Sequence, residues 1–160
     1  MCIRDSNQII FDMDNALLVS QLIDGKFPDY QPIIPSHHNT RTVLNTAEFA
    51  KACRTADIFA RESSNTARVM VEPGDGLSPA YATVAANSKE TGDNVAQVDA
   101  SVEGMPVEIA FNVKFMSDAL SAIDTPQVAL ETTNANEPGV LKPVGDNDFV
   151  HIIMPMNFNR

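Results

Sequence analysis

NTAEFAKACRTADIFARE, residues 45–62, is the stretch that decides the fold of this chain. Asn45 and Thr46 are favourable helix caps, and apolar residues then recur at helical spacing to about Glu62. Two groups of side chains fall on opposite arcs of this helix when successive residues are set about 100° apart. The apolar arc holds Phe49, Ala52, Cys53, Ala56, Phe59 and Ala60, and the opposite arc holds Lys51, Arg54 and Arg61. The pattern predicts a helix with one face in a core and one positively charged face, on whose polar side Ile58 is exposed.

The rest of the chain repeats this arrangement. Asn112 is placed to cap a second helix ending near Ile123, with a core stripe of Phe115, Met116, Ala119, Leu120 and Ile123 and with Lys114 facing away. Strand-like stretches flank both helices at residues 68–71, 81–86, 95–102, 107–111, 127–132, 140–144 and 149–156. From residue 40 the order is strand, helix, strands, and then the same again. This order predicts an α+β fold made of a duplicated unit, with two helices on one face of antiparallel sheets.

The first thirty residues have a different organisation. Residues 1–6, MCIRDS, resemble translated adapter sequence and are predicted to be a non-native leader. Strands at residues 9–11 and 16–23 are predicted around a turn at residues 12–15, and residues 24–30 read as a linker. A domain boundary is therefore expected near residue 33.

Composition and charge exclude several classes of protein. The chain has 160 residues, 44% of them hydrophobic, which is typical of a folded domain. No apolar run is long enough for a membrane span and no signal pattern opens the chain, so a cytoplasmic protein without a membrane is expected. The net charge of −10 argues against a general nucleic-acid surface, although a local basic face is compatible with it. The two cysteines and three histidines form no ligand pattern, so neither a metal nor another cofactor is predicted.

The basic stripe has two interpretations. A charged helix face is usually only a solvated surface. However, three of the eleven basic residues lie on this one stripe in a chain with 21 acidic residues. That concentration favours a role in binding an anionic partner.

One enzymatic hypothesis also arises. IIFDMDNALL, residues 9–18, is an apolar strand running into Asp12 and Asp14, as in Mg²⁺-dependent phosphatases of the haloacid dehalogenase type. Ala16 stands where that family has threonine, and residues 17–23 continue as a strand rather than entering a helix. The hairpin interpretation is therefore favoured, since Asp and Asn are common in tight turns. No catalytic residue is predicted.

A family resemblance becomes specific over four stretches. LIDGKFPDYQPIIP, CRTADIFARE, VEIAFNVKFMSDAL and HIIMPM together resemble the bacterial sliding clamps, the beta subunits of DNA polymerase III. The similarity covers nearly all of residues 8–158. It implies a non-enzymatic processivity factor of three similar domains, two protomers of which join head to tail in a ring around double-stranded DNA. Residues 33–160 would be the C-terminal domain, and residues 7–32 the last hairpin and linker of the middle domain.

The resemblance also implies three surfaces. A hydrophobic pocket for short peptide motifs of the polymerase III alpha subunit, the clamp loader and other partners would include Pro28, Ile33, Asn112, Phe115, Ile152, Met154, Pro155 and Met156. The DNA-facing residues would be Lys51, Arg54, Arg61 and Lys114. Ile58 and Phe59 would contact the neighbouring protomer. Flexible methionines suit a pocket that accepts varied partners, and Pro155 stiffens the strand.

Two features qualify the resemblance. Pro32 stands where the family commonly has a polar or basic residue, and residues 157–160 differ from the usual tail. A stand-alone peptide-binding module that never forms a ring is the remaining alternative.

Overall fold

A computed structural model describes residues 2–4, 7–26, 29–75, 77–88, 90, 92–146 and 148–157. The chain divides into two compact units, Met1–Gln31 and Pro32–Arg160. In the part of the chain that is described, no helix has the length and apolar character needed to cross a membrane.

The first unit is a three-stranded antiparallel sheet of β1 (Cys2–Arg4), β2 (Gln8–Met13) and β3 (Ala16–Gln21). The predicted hairpin is present, but its turn is shorter than expected. Only Asp14 and Asn15 connect the strands, and Asp12 lies within β2, opposite Leu17. Cys2–Arg4, which belong to the predicted non-native leader, pair with β2, and the non-native origin of residues 1–6 stays a prediction.

The second unit contains two helices and eight strands. These are β4 (Thr40–Asn45), α1 (Thr46–Ala60), β5 (Thr66–Glu72), β6 (Tyr81–Ser88), β7 (Gly92–Gly104), β8 (Val107–Asn112), α2 (Val113–Ser121), β9 (Gln127–Thr132), β10 (Gly139–Pro143) and β11 (His151–Ile153). The succession of one strand, one helix and three strands occurs twice. The predicted α+β class and the predicted duplication are therefore both present.

The two halves exchange their first strands. The strand order is β11-β10-β9-β4-β7-β6-β5-β8, so β4 of the first half pairs with β9 of the second, and β8 of the second half pairs with β5 of the first. All of these pairings are antiparallel. Because each half supplies a strand to the sheet of the other, the two halves form one continuous fold rather than two separate units.

Each helix begins at a capping asparagine, as predicted. The side-chain oxygen of Asn45 accepts a hydrogen bond from the amide of Glu48 at 3.1 Å, and that of Asn112 accepts from Lys114 and Phe115 at 3.1 and 3.4 Å. These bonds satisfy amides that have no partner within the helix. Helix α1 ends at Ala60 rather than at Glu62, and a 3-10 turn at Arg61–Ser63 follows it.

The core lies between the helices and the sheet. Helix α1 packs on β5, β6 and β7, and the two helices pack against each other. The predicted apolar arc of α1 is buried, except that Phe59 is only partly so. In α2, Met116, Ala119 and Leu120 are buried as predicted, but Phe115 is 57% exposed. The assignment of Phe115 to the core stripe is wrong, and its ring is available at the surface.

Candidate functional site

The last described strand joins two edges of the sheet. Strand β11 pairs with β10, with Ile153 opposite Gly139. Two residues later the chain reaches β8, where Pro155 lies opposite Phe111 in an antiparallel bridge. The amide of Met156 then donates a hydrogen bond to the carbonyl of Ala110 at 2.8 Å. Proline has no amide to donate. The bond from Met156 therefore anchors this end of the chain.

The side chains of this segment differ in their exposure. Ile153 is 3% exposed and belongs to the core, whereas Met154 is 61% exposed. Ile152 and Met156 are half-buried. Since successive side chains of an extended chain point to opposite faces, Ile152, Met154 and Met156 share the outer face. We refer to these three residues as the C-terminal strip.

Two further predicted pocket residues lie where β8 ends and α2 begins. Asn112 comes after Phe111 and caps α2, and Phe115 lies in the first turn of that helix. Helix α2 also packs against β11. The fold thus brings Asn112 and Phe115 to the region of the bridge, where Phe115 adds an exposed aromatic ring to an exposed methionine.

Ile33 and Pro28 are the two predicted pocket residues that remain. Ile33 is the last residue of a 3-10 turn, Gln31–Ile33, and is 50% exposed. Pro28 lies outside the described residues. Membership of both residues in a pocket stays a prediction.

The four cations predicted to face DNA are all exposed. Lys51 and Arg54 lie on α1, Arg61 follows its last residue, and Lys114 lies in the first turn of α2. The ion pairs of the described lysines and arginines use other cations, namely Arg41, Arg68 and Lys142. Arg54 donates to the carbonyl of Ala50 within its own helix, at 3.2 Å. Within the described residues, the charges of these four side chains are therefore not neutralised by a carboxylate in contact.

The predicted protomer contact combines one exposed and one anchored residue. Ile58 is 55% exposed, as the helix pattern predicts. Phe59 is partly buried against the core. An anchored ring beside an exposed β-branched residue presents apolar surface at the end of α1.

Comparison with known proteins decides the family. The family profile described as "DNA polymerase III beta subunit, C-terminal domain" matches residues 31–157. This chain belongs to the DNA polymerase III beta subunit family. The predicted family is confirmed.

Individual members of the beta subunit family agree with this assignment. The beta sliding clamp of Staphylococcus aureus is 34% identical over 152 residues, which is 94% of this chain and 39% of that protein. The beta sliding clamp of Bacillus subtilis is 30% identical over 151 residues, again 39% of its length. The crystal structure of the B. subtilis DNA polymerase sliding clamp has a TM-score of 0.87 at 29% identity, covering 99% of this chain and 41% of that chain. The chain spans about two fifths of the length of these relatives.

The beta subunit fold does not support the phosphatase hypothesis. Asp12 lies within an antiparallel strand and Asp14 in the two-residue turn that follows it. Among the described residues, no three His, Cys, Asp or Glu side chains are grouped as a metal site. The relatives are sliding clamps, and none of these observations gives the two carboxylates a catalytic environment.

One charged cluster was not foreseen from the sequence. Glu131 on β9 is approached by Lys142 Nζ at 2.7 Å, Arg41 Nε at 3.6 Å and His38 Nδ1 at 3.8 Å. These contacts join β4, β9 and β10 beside a cavity of about 360 Å³. The only sequence signal is alternation within three separate strands, and their register cannot be read from it.

Proposed function

We propose that this chain is the C-terminal part of a sliding clamp, a non-enzymatic processivity factor of the bacterial cytoplasm. Residues 33–160 would be the C-terminal domain, and residues 7–32 the last hairpin and linker of the middle domain. The proposal is supported by the family match over residues 31–157 and by relatives that are beta sliding clamps. In the complete protein, a head-to-tail dimer would encircle double-stranded DNA and tether the replicative polymerase.

The observation that carries the recruitment role is the exposure of the C-terminal strip. Met154 is 61% exposed between half-buried Ile152 and Met156, and Phe115 is 57% exposed nearby on α2. Apolar side chains left in water on an ordered strand favour binding of an apolar partner. The strip would receive leucine and phenylalanine anchors from short motifs of the polymerase III alpha subunit, the clamp loader and other clamp-binding proteins.

The expected affinity of this recruitment is modest. Each buried aliphatic or aromatic anchor contributes about 1.5–3 kcal/mol. Ordering the peptide and losing its translational freedom offset much of that gain. Methionine side chains can repack around different anchors, which suits several partners sharing one site.

The basic face would serve the DNA. Lys51, Arg54 and Lys114 are exposed and are not paired with described carboxylates. With Arg61 they would contact phosphates rather than base edges, which carries no sequence information and leaves the clamp able to slide. The net charge of −10 would keep DNA from the other surfaces.

The end of α1 would contribute to ring closure. Exposed Ile58 supplies the apolar surface and partly buried Phe59 fixes its position. The pair would pack against the first domain of the neighbouring protomer.

A labelled peptide tests the recruitment role. We expect a fluorescein-labelled Gln-Leu-Ser-Leu-Phe peptide to bind the 160-residue chain saturably in fluorescence anisotropy, and the scrambled peptide not to bind. Equal signals from the two peptides would contradict a specific pocket.

A topological assay tests the ring. The upstream reading frame should encode two further domains with the same duplicated pattern. The full-length protein loaded on nicked circular DNA should remain bound in gel filtration and should be lost when the circle is linearised. A frame without those domains would favour the stand-alone peptide-binding module.

A further inference from the structure

Gly139 faces the ring of Phe111. A Cβ atom added to Gly139 would lie 2.6 Å from Cζ and 3.1 Å from Cε1 of Phe111, and 3.5 Å from Cγ2 of Ile153. Phe111 is fully buried and Ile153 is 3% exposed, so the ring has little free space into which it could move. The backbone of Gly139 is not in the left-handed region, which distinguishes it from Gly92, Gly104 and Gly145. The ring, rather than the backbone conformation, therefore requires glycine here.

The same phenylalanine holds the segment that carries the C-terminal strip. Its backbone lies opposite Pro155, and its neighbour Ala110 accepts the hydrogen bond from the amide of Met156. Gly139 itself lies opposite Ile153 in the β10–β11 pairing. Ile153 and Pro155 flank Met154. Gly139 thus pairs with the residue before the exposed methionine, and Phe111 pairs with the residue after it.

We propose that Gly139 is a positioning residue for the peptide-binding strip. Its missing side chain leaves the space in which the Phe111 ring lies, and the ring fixes the distance between β8, β10 and the Met-Pro-Met segment. The inference rests on the proposed recruitment function. Gly139 does not touch the peptide and acts through Phe111.

A methyl group at this position should disturb the strip before it disturbs the rest of the domain. Overpacking a full core moves neighbouring side chains and backbone. Strand β11 has three residues and lies at one end of the strand order, so it has fewer pairings than the central strands. The strain of Gly139→Ala should therefore appear as movement of residues 153–156.

Amide hydrogen exchange of the 160-residue chain, followed by NMR, tests the positioning without any peptide. In Gly139→Ala we expect the Met156 amide to exchange at least about fivefold faster than in the wild type. The amides of Val84 and Val98, on the β6–β7 pair, which adjoins neither β8 nor β10 in the strand order, should change by less than about twofold. Equal acceleration at all three amides would indicate general destabilisation and would overturn the inference.

Peptide affinity provides the second readout. We expect Gly139→Ala to bind the Gln-Leu-Ser-Leu-Phe peptide at least about fivefold more weakly. A matched control is Val84→Ala, which destabilises β6 without touching the strip and should bind within about twofold of the wild type. Unchanged binding by Gly139→Ala would overturn the positioning role alone. A wild-type chain that fails to bind would overturn the proposed recruitment function, while the exchange experiment still decides the positioning.

The role of Phe111 as the intermediary is tested by a double-mutant cycle. Leucine lacks the ring atoms that would meet the new methyl group, so Gly139→Ala should have a smaller effect on peptide affinity in a Phe111→Leu background than in the wild type. An effect of equal size in both backgrounds would contradict action through Phe111.

Discussion

Pro155 lies opposite Phe111 in an antiparallel bridge, and this single pairing brings the end of β11 to β8. The hydrogen bond from the Met156 amide to the Ala110 carbonyl, at 2.8 Å, extends this pairing by one residue on each strand. A chain end is usually poorly ordered unless it is held by such contacts. Here the contacts hold the residues on both sides of Met154, and Met154 itself stays 61% exposed while Ile153 is buried.

Truncating Met154 should separate binding from stability. Because its side chain is 61% exposed, we expect Met154→Ala to change the free energy of unfolding by less than about 0.5 kcal/mol. Peptide affinity should fall about fivefold, which corresponds to the loss of about 1 kcal/mol of apolar contact. Urea unfolding and fluorescence anisotropy measure the two quantities.

The control for Met154→Ala is Leu77→Ala. Leu77 is 97% exposed between β5 and β6, outside the strip. It should leave peptide affinity unchanged. If the two variants weakened binding equally, a general loss of surface hydrophobicity would explain the result and the pocket assignment would fail.

Removing the cap of α1 should cost stability. Asn45→Ala deletes the acceptor for the Glu48 amide, and we expect a loss of about 1 kcal/mol in the free energy of unfolding. Asn45→Asp retains a capping oxygen and should lose much less. Equal losses in the two variants, measured by urea unfolding, would show that the cap is not the cause.

The basic face should appear in the salt dependence of DNA binding. At low salt we expect weak binding of duplex DNA by the chain, with a slope of log K against log salt that decreases by about 0.9 for each phosphate contact removed. Lys51→Ala should reduce the slope by about this amount. Lys142→Ala, whose amino group is paired with Glu131, is the control and should leave the slope unchanged. A slope reduced by Lys142→Ala and unchanged by Lys51→Ala would place the DNA on another face.

Cys53 should make stability depend on alkaline pH. Burial raises the pKa of the Cys53 thiol from 9.0 to about 12, opposed by the weaker effect of nearby Arg54. Between these values the unfolded chain has lost the proton and the folded chain retains it, so stability falls as pH rises. The stability from this group is complete below pH 9, and its loss approaches about 1.4 kcal/mol per pH unit above it.

The measurement for Cys53 is urea unfolding at pH 8 and pH 10.5. The wild type should lose roughly 2 kcal/mol more than Cys53→Ala over this interval. The comparison between the two chains removes the contribution of Cys2 and of the lysines. Parallel losses would mean that Cys53 does not remain protonated in the folded chain.

Local features of the fold could be predicted because their causes are local. Asn45 and Asn112 cap their helices through side-chain hydrogen bonds within three residues, and β9 spans the predicted residues 127–132. The duplicated order of elements also needs no knowledge of pairing. These features depend on periodicity and capping, both of which are determined by residues that are close in the sequence.

Other features depend on contacts between distant residues. Periodicity placed Phe115 in the core stripe of α2, but nothing in the helix itself shows that this edge of the stripe is left uncovered. The exchange of β4 and β8 between halves and the closeness of Gly139 to Phe111 arise from strand register. The strip can be predicted only through the family resemblance, since Met154 and Met156 by themselves are more typical of a core edge.

NMR of the chain carrying ¹³C-methyl methionine tests the central claim most directly. On titration with the Gln-Leu-Ser-Leu-Phe peptide, the methyl signals of Met154 and Met156 should shift together and saturate, while those of Met70 on β5 and Met105 in the β7–β8 turn should stay in place. Shifts at Met105 with Met154 and Met156 unmoved would contradict the account, because the peptide would then bind away from the C-terminal strip.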